Sequence, residues 1–153
     1  MLKRIPPCLS PELVMALDSI GHGSRILIAD ANCDINCTGR PEAFRIRADG
    51  ISGPELLEAI LKVIPLDDYV DNPVRCPKVP EDRPTPTCFA EYERIIAESE
   101  EADKCPNGID YQDEDEFWDM DKKLDLVIAS GELQPYGNIY LQKGVFYPWK
   151  PYK

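Results

Sequence analysis

The chain of 153 residues has one histidine, His22, set between two glycines in Gly21-His22-Gly23. Imidazole is the side chain that gives and takes protons near neutral pH. Glycine has no Cβ, so a ligand or a neighbouring backbone can come close there. Asp30 lies eight residues on, after the apolar run Arg25-Ile26-Leu27-Ile28-Ala29. If that run is a strand, Asp30 is at its carboxyl end, where open α/β sheets bind ligands. The plain alternative is a turn histidine and a loop-capping aspartate. A second polar cluster is Tyr136-Gly137-Asn138. A phenol and an amide both donate and accept, which suits a hydroxyl-rich ligand, although Asn and Gly also favour ordinary turns. Phe117-Trp118 stand among carboxylates. An indole can stack on the apolar face of a sugar, or simply pack on the core.

Elements must position these residues. Ser10-Pro11-Glu12 opens a helix over 10–20, with Leu13, Ala16, Leu17 and Ile20 on one face. Gly21 to Gly23 stop it, and 25–29 is a buried strand. Ala43 to Ala48 read as a second strand after a polar loop. Ser52-Gly53-Pro54-Glu55 repeats the start signals, for a helix over 56–64. Residues 73–86 hold five prolines, which predicts an extended connection with at most an edge strand. A helix is expected over 88–102, then strands over 124–129 and 139–141. Helices alternating with buried strands predict α/β: a single three-layer domain over 1–153, with a central, largely parallel sheet flanked by helices.

The net charge of −11 is local. Residues 98–121 hold eleven acids and one base, whereas the rest is nearly balanced. Such a run is expected to be a solvated face or mobile loop. A basic stripe is missing, which argues against nucleic acid, and no polybasic patch or long apolar run suggests a membrane. Met1 to Leu13 do not read as a secretory signal, so a cytoplasmic setting with reduced thiols is expected. Of the six cysteines only Cys33 and Cys37 approach metal-ligand spacing. Dinucleotide, P-loop and serine-elbow motifs are missing.

Several motifs occur in order: Leu9-Ser10-Pro11-Glu12-Leu13, Gly21-His22-Gly23, Ala29-Asp30-Ala31-Asn32, Ile46-Arg47-Ala48-Asp49-Gly50, Pro65-Leu66-Asp67-Asp68-Tyr69-Val70, Gly131-Glu132 and Tyr136-Gly137-Asn138. Together they resemble the L-fucose mutarotase and D-ribose pyranase family, and the fucose branch more closely. The resemblance runs from Met1 to Val145. It implies a cytosolic α/β protein that interconverts sugar anomers or ring forms without a cofactor. It also implies a ring-like homo-oligomer, commonly a decamer, and a monosaccharide as ligand. By position, His22 resembles the proton donor, Asp30 and Tyr136-Gly137-Asn138 resemble substrate contacts, and Asp67 matches an acidic position some members use.

There are departures. Where members often carry Arg, Phe, a Phe-Tyr pair and a further Arg, this chain reads Glu114, Asp115, Phe117-Trp118 and Met120. The family's acid after Gly-His-Gly is Ser24, and Asp34 replaces a usual proline. The expectation is therefore an aldose mutarotase with His22 as acid–base group and Trp118 in a remodelled sugar pocket. The rivals are a non-catalytic monosaccharide-binding or regulatory protein of the same fold, and a metal site at Cys33, Cys37 and the acidic segment.

Overall fold

The computed structural model describes residues 2–152. Its elements run α1 (Pro11–Ser19), β1 (Arg25–Ala29), β2 (Phe44–Arg47), α2 (Gly53–Leu61), β3 (Val74–Pro77), α3 (Cys88–Glu98), β4 (Asp110–Gln112), α4 (Glu114–Asp119), β5 (Leu126–Ala129) and β6 (Ile139–Gln142). Both predicted serine caps form. Ser10 Oγ accepts from Leu13 N at 3.2 Å and Ser52 Oγ from Glu55 N at 3.3 Å, each ahead of a first-turn proline. Such a cap stabilises a helix by about 1 kcal/mol.

The strands form one sheet in the order β2-β5-β1-β6-β3-β4. β2, β5 and β1 pair in parallel, as do β3 and β4, and β6 runs antiparallel to both β1 and β3. Five strands thus point one way and β6 the other, so the sheet is largely parallel as expected. Alternation along each strand sorts its side chains into two cores. Ile26, Ile28, Leu126, Ile128, Ile139 and Leu141 face a large core closed by α1, α2 and α3. Leu27, Ala29, Val127, Ala129 and Tyr140 face a thinner layer of Ile35, Phe117, Met120 and Leu124.

Two expectations need correction. Residues 73–86 contain not an edge strand but β3, between β6 and β4, with Val74 and Cys76 fully buried. Proline is tolerated because Pro77 ends the strand, while Pro73 supplies a carbonyl to Gln142 N at 2.8 Å. Nor is 98–121 a loop throughout, although the acids of α4 do face solvent. It contains β4, α4 and the buried Glu101, which accepts from Lys104 Nζ and, at 2.8 Å, from Leu66 N. The helix expected over 88–102 stops at Glu98, and Ala102–Lys104 forms a single 3-10 turn.

Among the described residues no helix is long and apolar enough to cross a membrane.

Candidate active site

A cavity of about 540 Å³ lies at the carboxyl ends of β1 and β3. Its wall includes Asp30 after β1, Pro77 ending β3, Trp118 and Glu114 of α4, and Tyr136 and Asn138 before β6. The volume is within the ~300–1,000 Å³ usual for small-molecule sites.

Asp30 and Asn138 form a reciprocal clamp. The Asp30 amide donates to Asn138 Oδ1 at 2.9 Å, and Asn138 Nδ2 donates to Asp30 Oδ2 at 3.0 Å. Asp30 Oδ1 also accepts from Asn32 N at 2.9 Å. Both clamp residues are 5% exposed, so the pair presents fixed acceptors and donors with little rotamer freedom to lose on binding. Tyr136 holds φ at +68°, a left-handed conformation that costs a bulky residue on the order of 1 kcal/mol or more. The next residue anchors it, because the buried Tyr92 hydroxyl donates to Gly137 O at 2.8 Å. Trp118 is half-buried and edge-on to Phe117, centroids 5.2 Å apart, so one indole surface remains for a ligand.

His22 is elsewhere. It precedes β1, and Gly23 beside it takes φ +78°, where any Cβ is strained. No backbone crowds either flanking glycine, so the imidazole stands in an open corner. His22 Nε2 lies 3.1 Å from Asp67 Oδ1, with its side chain 46% exposed against 2% for Asp67. The Tyr69 ring stands 5.1 Å from the imidazole, tilted by 51°. Asp67 also accepts from Tyr69 N at 3.0 Å and from Gln142 Nε2 at 2.9 Å. Burial works against ionisation of this carboxyl. The three hydrogen bonds outweigh it, and its pKa is held below the ordinary value.

A depressed carboxyl pKa stabilises the fold above the unfolded value, and that contribution is lost as pH falls through the folded one. Asp67→Asn is therefore expected to narrow the loss of thermal stability between about pH 5 and about pH 3. Thermal melts of both proteins check this; an equal acid-induced loss contradicts it.

The structure thus brings Asp30, Tyr136, Asn138 and Trp118 to one cavity, with Gly137 in its supporting turn, and joins His22 to Asp67 at another place. The carboxylate beside His22 is Asp67, not the strand-end Asp30. Asn138, just before β6, and Gln142, at its end, mark the two places, four residues apart, or ~13 Å in extended chain. Arg83 and Pro84 also line the cavity, from the proline-rich connection, where residue type alone marks no site. Gln142 carries a signal in the sequence too, its period-two spacing from Asn138 through Tyr140. Cys33 lines the cavity with its thiol 3.5 Å from Thr38 Oγ1. Among the described residues no group of three or more His, Cys, Asp or Glu could hold a metal ion.

A mouse (Mus musculus) fucose mutarotase is 40% identical to this chain over 148 residues, covering 94% of each. The crystal structure of FucU from Bifidobacterium longum superposes with a TM-score of 0.85 at 39% identity, covering 95% of this chain and all of that one. A fucose mutarotase from Streptococcus pneumoniae, solved in complex with L-fucose, superposes with a TM-score of 0.84 at 36% identity, again over 95% of this chain and all of the other. The RbsD / FucU transport protein family profile matches residues 3–146. With that match spanning nearly the whole sheet and every site residue named above, the chain belongs to the RbsD / FucU transport protein family.

Proposed function

We propose that this protein is a sugar mutarotase acting on L-fucose or a related aldose. The observation that carries the proposal is the cavity at the strand ends. It has a hydroxyl-reading clamp, Asp30–Asn138, on one side and an indole on the other. A sugar has the matching surface, with hydroxyls around its rim and an apolar C–H face. The relative from Streptococcus pneumoniae, whose structure contains L-fucose, supports the same substrate class.

Mutarotation needs one proton delivered to the ring oxygen and one taken from the anomeric hydroxyl. The open aldehyde then turns and recloses. His22 is the group for both transfers, with Asp67 orienting its ring; such acid–base help is worth about 10²–10⁴-fold. Asp30, Asn138 and the Tyr136-Gly137 turn hold the hydroxyls, and Trp118 takes the apolar face.

His22 and the cavity of one chain are a strand's length apart, which no rotamer change spans. In this reading a second copy supplies His22 to the cavity, within a ring-like homo-oligomer such as a decamer. The surroundings of His22 suit burial against another copy. Tyr69, Phe146 and Trp149 are 70%, 63% and 76% exposed, and Tyr147 ties this patch to the site through Asp68 Oδ1 at 3.1 Å. Exposed aromatics in such a cluster mark interaction surfaces. The buried free thiols of Cys76, Cys88 and Cys105 fit a reducing cytoplasm.

Saturation-transfer NMR between the anomers of L-fucose tests the proposal. Added protein is expected to accelerate exchange, and saturating sugar to change the fluorescence of Trp118 in a Trp149→Phe background. One feature favours a second reading, a monosaccharide-binding protein without catalysis: the cavity of a single chain does not include His22. Sugar-dependent fluorescence with exchange at the spontaneous rate would select it.

A further inference from the structure

Asn138, just before β6, shares a face with Tyr140 and Gln142 of that strand, and the last two continue into the His22 corner. The Tyr140 hydroxyl donates to Gln142 Oε1 at 2.9 Å. Gln142 Nε2 donates to Asp67 Oδ2 at 2.9 Å, and Asp67 Oδ1 meets His22 Nε2 at 3.1 Å. Tyr140, Gln142 and Asp67 are buried, so water does not compete for the two bonds among them.

The donor directions in this chain follow from chemistry. An ionised carboxylate only accepts. Gln142 must therefore turn its NH₂ towards Asp67 and its carbonyl towards Tyr140. The phenol must then donate, and burial keeps it protonated by pushing its pKa up to about 12. The same acceptor demand places a proton on His22 Nε2. Nδ1 is then the nitrogen left to work on the sugar, as a base when bare and as an acid when protonated.

We infer that Gln142, held in orientation by Tyr140, is a positioning residue for His22: it fixes the Asp67 carboxylate so that the imidazole keeps its proton on Nε2 and offers Nδ1 to substrate. This rests on the acid–base reading of His22 above. Main-chain pairing does not do the same work. The Asp67 amide donates to Gln142 O at 3.0 Å, which aligns the backbones, and Tyr69 N holds Oδ1 at 3.0 Å, but neither reaches the second carboxylate oxygen. Only the side-chain amide holds Oδ2.

The chain's single histidine makes the test unambiguous. Imidazole ¹⁵N spectra of the unliganded protein, taken where His22 is neutral, are expected to show a protonated Nε2 and a bare Nδ1. In Gln142→Leu, which keeps the volume, both signals are expected to move towards the average of mixed tautomers. The anomer-exchange rate at saturating L-fucose is expected to fall roughly tenfold, within what modest misplacement of a reacting group costs. The L-fucose KM, set mainly at the other end of β6, is expected to stay within about twofold. Tyr140→Phe frees the Gln142 amide to flip and is expected to change both readouts in the same direction by less. It also decides the matter if Gln142→Leu does not fold. Unchanged imidazole signals in the variants, or displaced signals with undiminished exchange, overturn the inference. Failure of the parent protein to accelerate exchange is a separate result that refutes the proposed function, and the ¹⁵N signals still report whether Gln142 sets the tautomer.

Discussion

Replacing His22 by alanine is expected to slow L-fucose anomer exchange by about 10²–10⁴-fold, the usual worth of a positioned acid–base group. Three observations set the size. His22 is the chain's only histidine, so no second imidazole can take over. Its ring is nearly half-exposed, whereas its carboxylate partner is 2% exposed. That is the arrangement of a group fixed at one nitrogen and open at the other. Removing the ring takes away little packing, and Asp67 keeps the bonds from Tyr69 and Gln142. The melting temperature is therefore expected to change by no more than a few degrees. Saturation-transfer NMR reads the rate and circular dichroism the fold. Undiminished exchange in a folded His22→Ala protein removes His22 from the chemistry.

The largest effect on stability is expected from Gly144→Ala. A Cβ on Gly144 would overlap the Leu66 carbonyl and approach Asp67 Cα at 2.8 Å. These are backbone atoms, so no rotamer change relieves the clash. Gly144 N also donates to Pro65 O at 2.8 Å, which holds the two segments at this spacing. Glu101, buried with Lys104, fastens the other side of the same turn through Leu66 N. The turn is thus gripped from both sides and cannot simply slide outward. We expect a loss of about 3 kcal/mol, at the upper end for overpacking, or roughly 6–12 °C in melting temperature for a chain of this size. Exchange measured below that transition is expected to fall too, because Asp67 is displaced from His22. A melting temperature within about 2 °C of the parent would contradict this account.

How far the sequence could be read depends on the range of the interactions involved. α1, α2, β1 and β5 were legible because their signals are local: a serine cap with proline behind it, or an unbroken apolar run. β4 and α4 were not. Asp110-Tyr111-Gln112 has no strand periodicity, and it pairs because β3 offers an open edge. The proline content around 73–86 hid β3, whose prolines fall where no ladder donor is needed. For the site, His22 and Asp30 stood out by residue type, and their places at the two ends of β1 follow from the strand reading. What could not be read was pairing at long range. His22 meets Asp67 across 45 positions and Asp30 meets Asn138 across 108. Asp67 entered only through the resemblance. The ~13 Å between the two groups could have been inferred once 25–29 was taken as a strand, since extended backbone is stiff.

That stiffness has a bearing on divergence. The replacements at Glu114 and Trp118 border the cavity, and Met120 belongs to the layer behind it, whereas the imidazole and its carboxylate lie at the far end of β6. A rigid rod between two workshops lets either be refitted while the other keeps running. On the proposed reading, a wall residue of the cavity can therefore change without disturbing the hydrogen bonds that hold the imidazole.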